Sequence, residues 1–127
     1  MEEAFEAWNR GDVETVLTYT TEDVVWRTGG ALPGIGRIYE GHEGLRRFFR
    51  EFAEPWEEIS IEILEVIEDR EGQIVLLTSF HGKGREGIEV DGRFFHIYRY
   101  DENHLCREFH AFVEEDREEA LREAGLE

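Results

Sequence analysis

The 127-residue sequence has one cysteine, two prolines and one methionine, and no apolar run that approaches the ~20 residues of a membrane-spanning helix. The single Cys106 excludes an intramolecular disulfide and a cysteine-clustered zinc site. Its strand position suits a small packed residue, since a reactive thiol needs an electropositive setting that Arg107 supplies only weakly. Positive charge is scarce: 14 Lys and Arg stand against 31 Asp and Glu, a formal net charge of −17. Such a surface repels nucleic acid and anionic bilayers alike, so neither is expected as a partner. The start Met1-Glu2-Glu3 lacks the basic residues of a secretory signal, and a cytoplasmic location is expected.

Several chemistries also lack their signatures. No His-x-His or His-Glu-x-x-His occurs, and no metal is expected. The only serines, Ser60 and Ser79, fall within β-prone segments and no Gly-x-Ser-x-Gly elbow is present, which argues against a serine hydrolase. Gly34-x-Gly36 and Gly82-x-Gly84 lack the strand-to-helix setting and the lysine of a phosphate loop. No cofactor is implied.

Aromatic residues are abundant: 13% of the chain, with nine Phe and three Trp. They point to an aromatic-rich interior or pocket and to an apolar ligand. The length suits one domain over residues 1–127.

Ala4, Phe5 and Trp8 share a face at helical spacing, and Asn9-Arg10-Gly11 ends that helix. Asp12 is an N-cap for a second helix carrying Val13, Val16 and Leu17. "DVVWR", Asp23 to Arg27, reads as a strand, and "TGGALPGIG" after it as a mobile loop. Leu45, Phe48, Phe49 and Phe52 stand at i, i+3, i+4 and i+7, a helix that Pro55 closes. Four β-prone segments follow, 56–69, 73–83, 88–100 and 105–114. Turns at Glu71-Gly72, "GKGREG" and Glu102-Asn103 separate them. Asp91-Gly92 reads equally as a tight turn or a bulge. Asp116 and Gly125 bound a short terminal helix. Helices first and an antiparallel meander after them predict an α+β fold, with helices on one face of a curved sheet.

A two-residue turn at Glu102-Asn103 would set Tyr100 opposite Leu105, Tyr98 opposite Arg107, His96 opposite Phe109 and Phe94 opposite Ala111. That face is the more aromatic and should meet the helices as a core or a lined cavity. His96, Tyr98 and Arg107 are then the polar groups it encloses, the candidate catalytic set. His96 reads either as a satisfied core imidazole or as a pocket acid or base. Arg107 either orients a ligand or pairs with one of the many acids. Phe94 and Phe109 on the sheet, with Phe49 and Phe52 on the helix, are candidate ligand contacts. Trp26 and Tyr39 bracket the loop and either close a pocket or staple it. His81 sits near a strand end, as a pocket-mouth or rim residue. The opposite face carries Phe95, Ile97, Arg99, Cys106, Glu108, His110 and Phe112, a mixture suited to a homodimer contact.

The order and spacing of "AWNRGDVETVLTYTTEDVVW", "YEGHEGLRRFF", "EVDGRFFHIYRY" and "EEALREAGL" resemble the SnoaL-like and ketosteroid-isomerase-like proteins of the nuclear transport factor 2-like superfamily. The resemblance spans nearly the whole chain. It implies a cone-shaped α+β barrel in which three N-terminal helices pack on a strongly bent, mainly antiparallel sheet around a deep apolar pocket. It also implies dimerisation through the outer sheet face. The isomerases' carboxylate base falls here near Thr28, and their oxyanion-hole tyrosine near Ala4 or Phe5, so that constellation is not reproduced. The cyclases' strand histidine falls close to His96, while its aspartate partner falls near His110 or Ala111. Relatives carry further helical turns before "AFEAWNRGD", so either a shorter first helix widens the pocket or Met1 is not the native start.

Three readings follow. The first is an enzyme doing cofactor-independent acid–base chemistry (isomerisation, cyclisation or dehydration) on an apolar carbonyl-bearing molecule. His96 would be its proton shuttle, with Tyr98 and Arg107 as donors. The second is a non-catalytic ligand-binding dimer of the same fold, and the third a structural dimer with a filled core.

Overall fold

Alternation with period two over four long segments builds a meander, and its curvature has a local cause. In the computed structural model, which describes residues 2–28 and 37–126, the strands are β1 (Thr20–Arg27), β2 (Ile38–Glu40), β3 (Trp56–Arg70), β4 (Gln73–Gly84), β5 (Glu89–Tyr100) and β6 (Cys106–Val113). They form one six-stranded sheet in the order β2-β1-β6-β5-β4-β3. All neighbours are antiparallel except β1 and β6, which run parallel. The register of β3 on β4 shifts three times, after Trp56, Ile63 and Val66. Each extra residue bends and twists the strand, so the sheet curls without closing.

The helices α1 (Glu2–Arg10), α2 (Val13–Leu17) and α3 (Gly41–Ala53) pack on the concave face. Asp12 caps α2 as expected, accepting from the Thr15 amide at 3.3 Å. Leu45, Phe48 and Phe52 of α3 are buried. Asn9 fastens α1 to β3 in both directions, donating to the Ile61 carbonyl at 3.3 Å and accepting from its amide at 3.2 Å. A 3₁₀ turn (Glu114–Asp116) leads into α4 (Arg117–Glu123). That helix ends where Gly125 takes φ +76° and the Leu126 amide reaches the Leu121 carbonyl at 2.8 Å, a left-handed stop that glycine adopts without strain.

One expectation about the sheet needs revision. Asp91-Gly92 is neither turn nor bulge: β5 runs through it in unbroken register, with His81 opposite Asp91 and Phe80 opposite Gly92. The chain itself covers part of the outer face. Ala120 of α4 and Ala124, its C-cap, pack in one cluster with Val75, Phe95, Ile97 and Phe112, and the Arg117 guanidinium lies 5.4 Å over the Phe95 ring. Phe95 and Ile97 are thereby buried within one protomer. Arg99 and Gln73 anchor the end of α4: Arg99 Nη2 donates to the Glu123 carbonyl and Gln73 Nε2 to that of Ala124, each at 2.8 Å. Cations and donors at a helix C-terminus satisfy its open carbonyls.

The expected mobile loop lies, apart from Thr28, outside the described residues. Among those described, no helix is long and apolar enough to cross a membrane.

Candidate functional site

Between the concave face and the three helices lies a cavity of about 110 Å³. Its wall is an interlocked set of rings. Trp26 of β1 stacks on Phe109 of β6 at 4.1 Å between centroids, and Trp8 of α1 meets Phe48 and Phe52 at 5.6 and 5.4 Å. Each such pair adds about 0.5–1.5 kcal/mol beyond the area it buries, so the site is framed by ring contacts between different elements.

The β5–β6 register decides which polar groups reach this space, and it is not the expected one. The connection is no two-residue turn. Asp101 Oδ1 accepts from the Asn103 and Leu105 amides, both at 2.9 Å, and His104 takes φ 63°. The strands then pair Tyr100 with Cys106, Tyr98 with Phe109, His96 with Ala111 and Phe94 with Val113, with a register shift between Arg99 and Tyr100. Arg107 is the surplus residue of that bulge and is exposed. The extra residue also swaps the face of Cys106, which lines the cavity rather than the outer sheet surface.

Of the residues expected to touch a ligand, His96, Tyr98, Trp26, Phe52, Phe94 and Phe109 line the cavity. Tyr39 is buried behind it, with its ring edge on Phe48 and its hydroxyl donating to Glu51 at 2.6 Å. Phe49 packs against the far side of Trp8, at 4.6 Å. His81 points to the outer face, where Nδ1 lies 2.5 Å from Asp91, and that bond raises its pKa. Arg107, Tyr39, Phe49 and His81 therefore do not join the other six.

The lining also includes Thr28, Thr78, Tyr19, Tyr100 and Cys106. Thr78 was accessible to sequence reasoning, since it alternates in β4 with Phe80. Cys106 was not, because the bulge that turns it inward leaves no mark in the composition of β6.

Among the described residues no Asp, Glu, Lys or Arg belongs to the lining, and the titratable groups that do are held neutral. Desolvation drives His96 down to about 3, pushes Cys106 up to about 12 and raises Tyr98 and Tyr100. Burial disfavours whichever form carries charge, so at neutral pH the described lining is uncharged. His96 Nδ1 lies 3.4 Å from the Tyr98 hydroxyl, a weak bond with two tautomeric forms. If Nδ1 accepts from Tyr98, Nε2 carries the proton and is a donor. If Nδ1 donates, the Tyr98 hydroxyl proton is free for a ligand and Nε2 is the acceptor. Among the described residues no group of three His, Cys, Asp or Glu is placed to hold a metal ion.

A solved structure of an NTF2-like protein of unknown function from Burkholderia pseudomallei K96243 is 28% identical, covers 95% of this chain and 91% of its own, and superposes with a TM-score of 0.77. A Mycobacterium tuberculosis protein in complex with estradiol-17beta-hemisuccinate is 17% identical over 91% of each chain, with a TM-score of 0.78. The Delta 5-3-ketosteroid isomerase of a Mycobacterium species is 17% identical, covers 91% of this chain and 90% of its own, and reaches a TM-score of 0.76. At such identities the last two speak for the fold alone. No curated protein matches the chain in sequence. The model of the SnoaL-like domain matches residues 1–109, from α1 into β6, the stretch that supplies almost all of the cavity wall, and the chain belongs to that SnoaL-like family.

Proposed function

We propose that the cavity receives an apolar, carbonyl-bearing small molecule and that the Tyr98–His96 pair hydrogen-bonds its carbonyl oxygen. One observation carries this reading: an uncharged, ring-lined space whose neutral donors include a paired phenol and imidazole. An apolar body with one polar anchor is what such sites recognise. The size favours a compact ligand, since pockets for drug-sized molecules run to roughly 300–1,000 Å³.

Cofactor-independent acid–base chemistry is a second reading, favoured by His96 being neutral, with a lone pair available, and by the fold shared with a ketosteroid isomerase. His96 would take a proton from the carbon next to the carbonyl while Tyr98 steadies the developing oxyanion. An imidazole whose conjugate acid forms only near pH 3 is a weak base, and among the described residues no carboxylate of the lining assists it. This makes binding the stronger of the two readings. Arg107 takes part in neither. We place the protein in the cytoplasm, as one domain over the chain. A homodimer would use the outer sheet surface left beside α4.

The test pairs the bicyclic ketone α-tetralone with tetralin, its hydrocarbon counterpart, followed by tryptophan fluorescence. The ketone should bind more tightly, and Tyr98→Phe should weaken it by roughly three- to tenfold while Arg107→Ala leaves it unchanged. Equal affinities for the two compounds would remove carbonyl recognition. Incubation in D₂O then separates the readings: deuterium appearing next to the carbonyl, and lost in His96→Gln, marks proton transfer. A ketone recovered with its protons intact marks a binding module.

A further inference from the structure

A second depression, of about 220 Å³, lies on the surface beside the cavity, where the ends of α1 and α3 meet the start of β3. Phe49, Ala53, Trp56 and Ile59 line it, and none of these belongs to the inner cavity. Trp8 and Phe52 line both spaces. Their rings meet edge to face at 5.4 Å and 89°, so the partition between groove and cavity includes these two side chains. The backbone beside them is fixed. Asn9 holds α1 on Ile61 through two hydrogen bonds, and the end of α1 is closed by the Asp12 amide on the Ala7 carbonyl at 2.9 Å. Joining the two spaces asks these two rings to turn aside while the backbone beside them stays in place.

We infer that groove and cavity form one two-chambered site for an elongated apolar ligand, whose carbonyl end sits by Tyr98 and His96 and whose tail passes between Trp8 and Phe52 into the groove. The inference rests on the cavity reading above and deepens it. The inner space is small by the standard of ligand pockets, and its continuation outward is apolar on the same side of the partition rings. The occupant of the groove is therefore the far part of the same molecule. Exposed Arg10 and Glu57 also line the groove, so the tail's end meets water and charge there, which sets a limit on useful length.

The chain's three tryptophans report on the three parts separately: Trp26 in the cavity, Trp8 in the partition and Trp56 in the groove. With 5-fluorotryptophan incorporated and each resonance assigned by a Trp→Phe variant, straight-chain methyl ketones from 2-hexanone to 2-dodecanone are titrated by fluorine NMR. The expected result is that 2-hexanone shifts Trp26 and Trp8 only and longer ketones shift Trp56 as well. Affinity should rise about fourfold per added methylene until the tail reaches the groove's charged edge. Ala53→Glu, at an exposed helix end, should abolish the gain for the long ketones and leave 2-hexanone within twofold. Ala53→Trp, which fills the groove, should do the same without adding charge. An affinity that levels off at 2-octanone, or a series unaffected by both Ala53 variants, overturns the two-chambered site while leaving the cavity reading intact. Failure of every ketone to bind overturns both.

Discussion

Acid should weaken this fold through one imidazole. His96 is 9% exposed, and burial holds its pKa at about 3 against an ordinary 6.5. Above pH 6.5 the imidazole is neutral in both folded and unfolded chains and stability does not depend on it. Between 6.5 and 3 the unfolded chain binds a proton that the folded one refuses, so stability rises with pH there by about 1.4 kcal/mol per unit. Read downward, acidification across the whole window costs about 5 kcal/mol, comparable to the total stability of a small domain. Urea unfolding at about pH 7.5, 6.5, 5.5 and 4.5 isolates the effect when wild type is set against His96→Leu, which cannot titrate. The carboxylates and His110 titrate in both proteins and cancel in the difference. That difference should be constant from pH 7.5 to 6.5 and then move against wild type by about 2–3 kcal/mol by pH 4.5. A difference flat to within about 0.5 kcal/mol would refute the reasoning, because it would mean that the folded imidazole takes up its proton as readily as the unfolded one.

Three other outcomes are expected. Cys106, with its thiol near 12, is ionised to only about one part in 10⁴ at pH 8, against roughly a quarter for a free thiol. Its reaction with a disulfide reagent should be at least about a thousandfold slower folded than in guanidinium, and comparable rates would show the side chain to be accessible. Arg99→Ala removes donors to Gln73 and the Glu123 carbonyl and the ion pair to Glu108. It should cost about 2 kcal/mol, with the amides of α4 gaining exchange before those of the sheet; uniform exchange across both would count against the anchor. Gly82→Ala would set a methyl 2.7 Å from Phe80 Cζ and 2.8 Å from Trp56 Cε3. A loss of about 1–3 kcal/mol in thermal or urea unfolding is expected, and an unchanged midpoint would show that these rings yield freely.

Periodic features of the fold were legible in the sequence and local exceptions were not. The i, i+3, i+4, i+7 spacing of Leu45, Phe48, Phe49 and Phe52 and the stop at Pro55 locate α3 at Gly41–Ala53. Alternation locates β3, β4, β5 and β6 to within about a residue of their observed ends. Of the candidate site, His96 and Tyr98 share a face whatever the register, because the period of a strand is two. Arg107 depended on the turn, and the Asp101-centred loop and the bulge moved it to the surface. The short β2 was missed because three residues are too few for a periodic signal; what holds it is its pairing with β1. The packing of Ala120 and Ala124 on Phe95, Ile97 and Phe112 of the convex face was not legible either, since it is a contact between distant segments that no local pattern announces.

The parallel pairing of β1 with β6 bears on how the protein is made. The cavity draws residues from Ala4 through Ala111, so its wall stays incomplete until nearly the whole chain has been synthesised. The meander β3–β5 joins neighbours in sequence and can form early, whereas Trp8, Trp26 and Phe48 wait for Phe109, the residue that covers Trp26. Non-local closure of this kind slows folding and prolongs the exposure of apolar rings. A nascent chain paused before β6 therefore leaves these rings uncovered, and the same rings that would later hold a ligand are the surface that a chaperone would hold first.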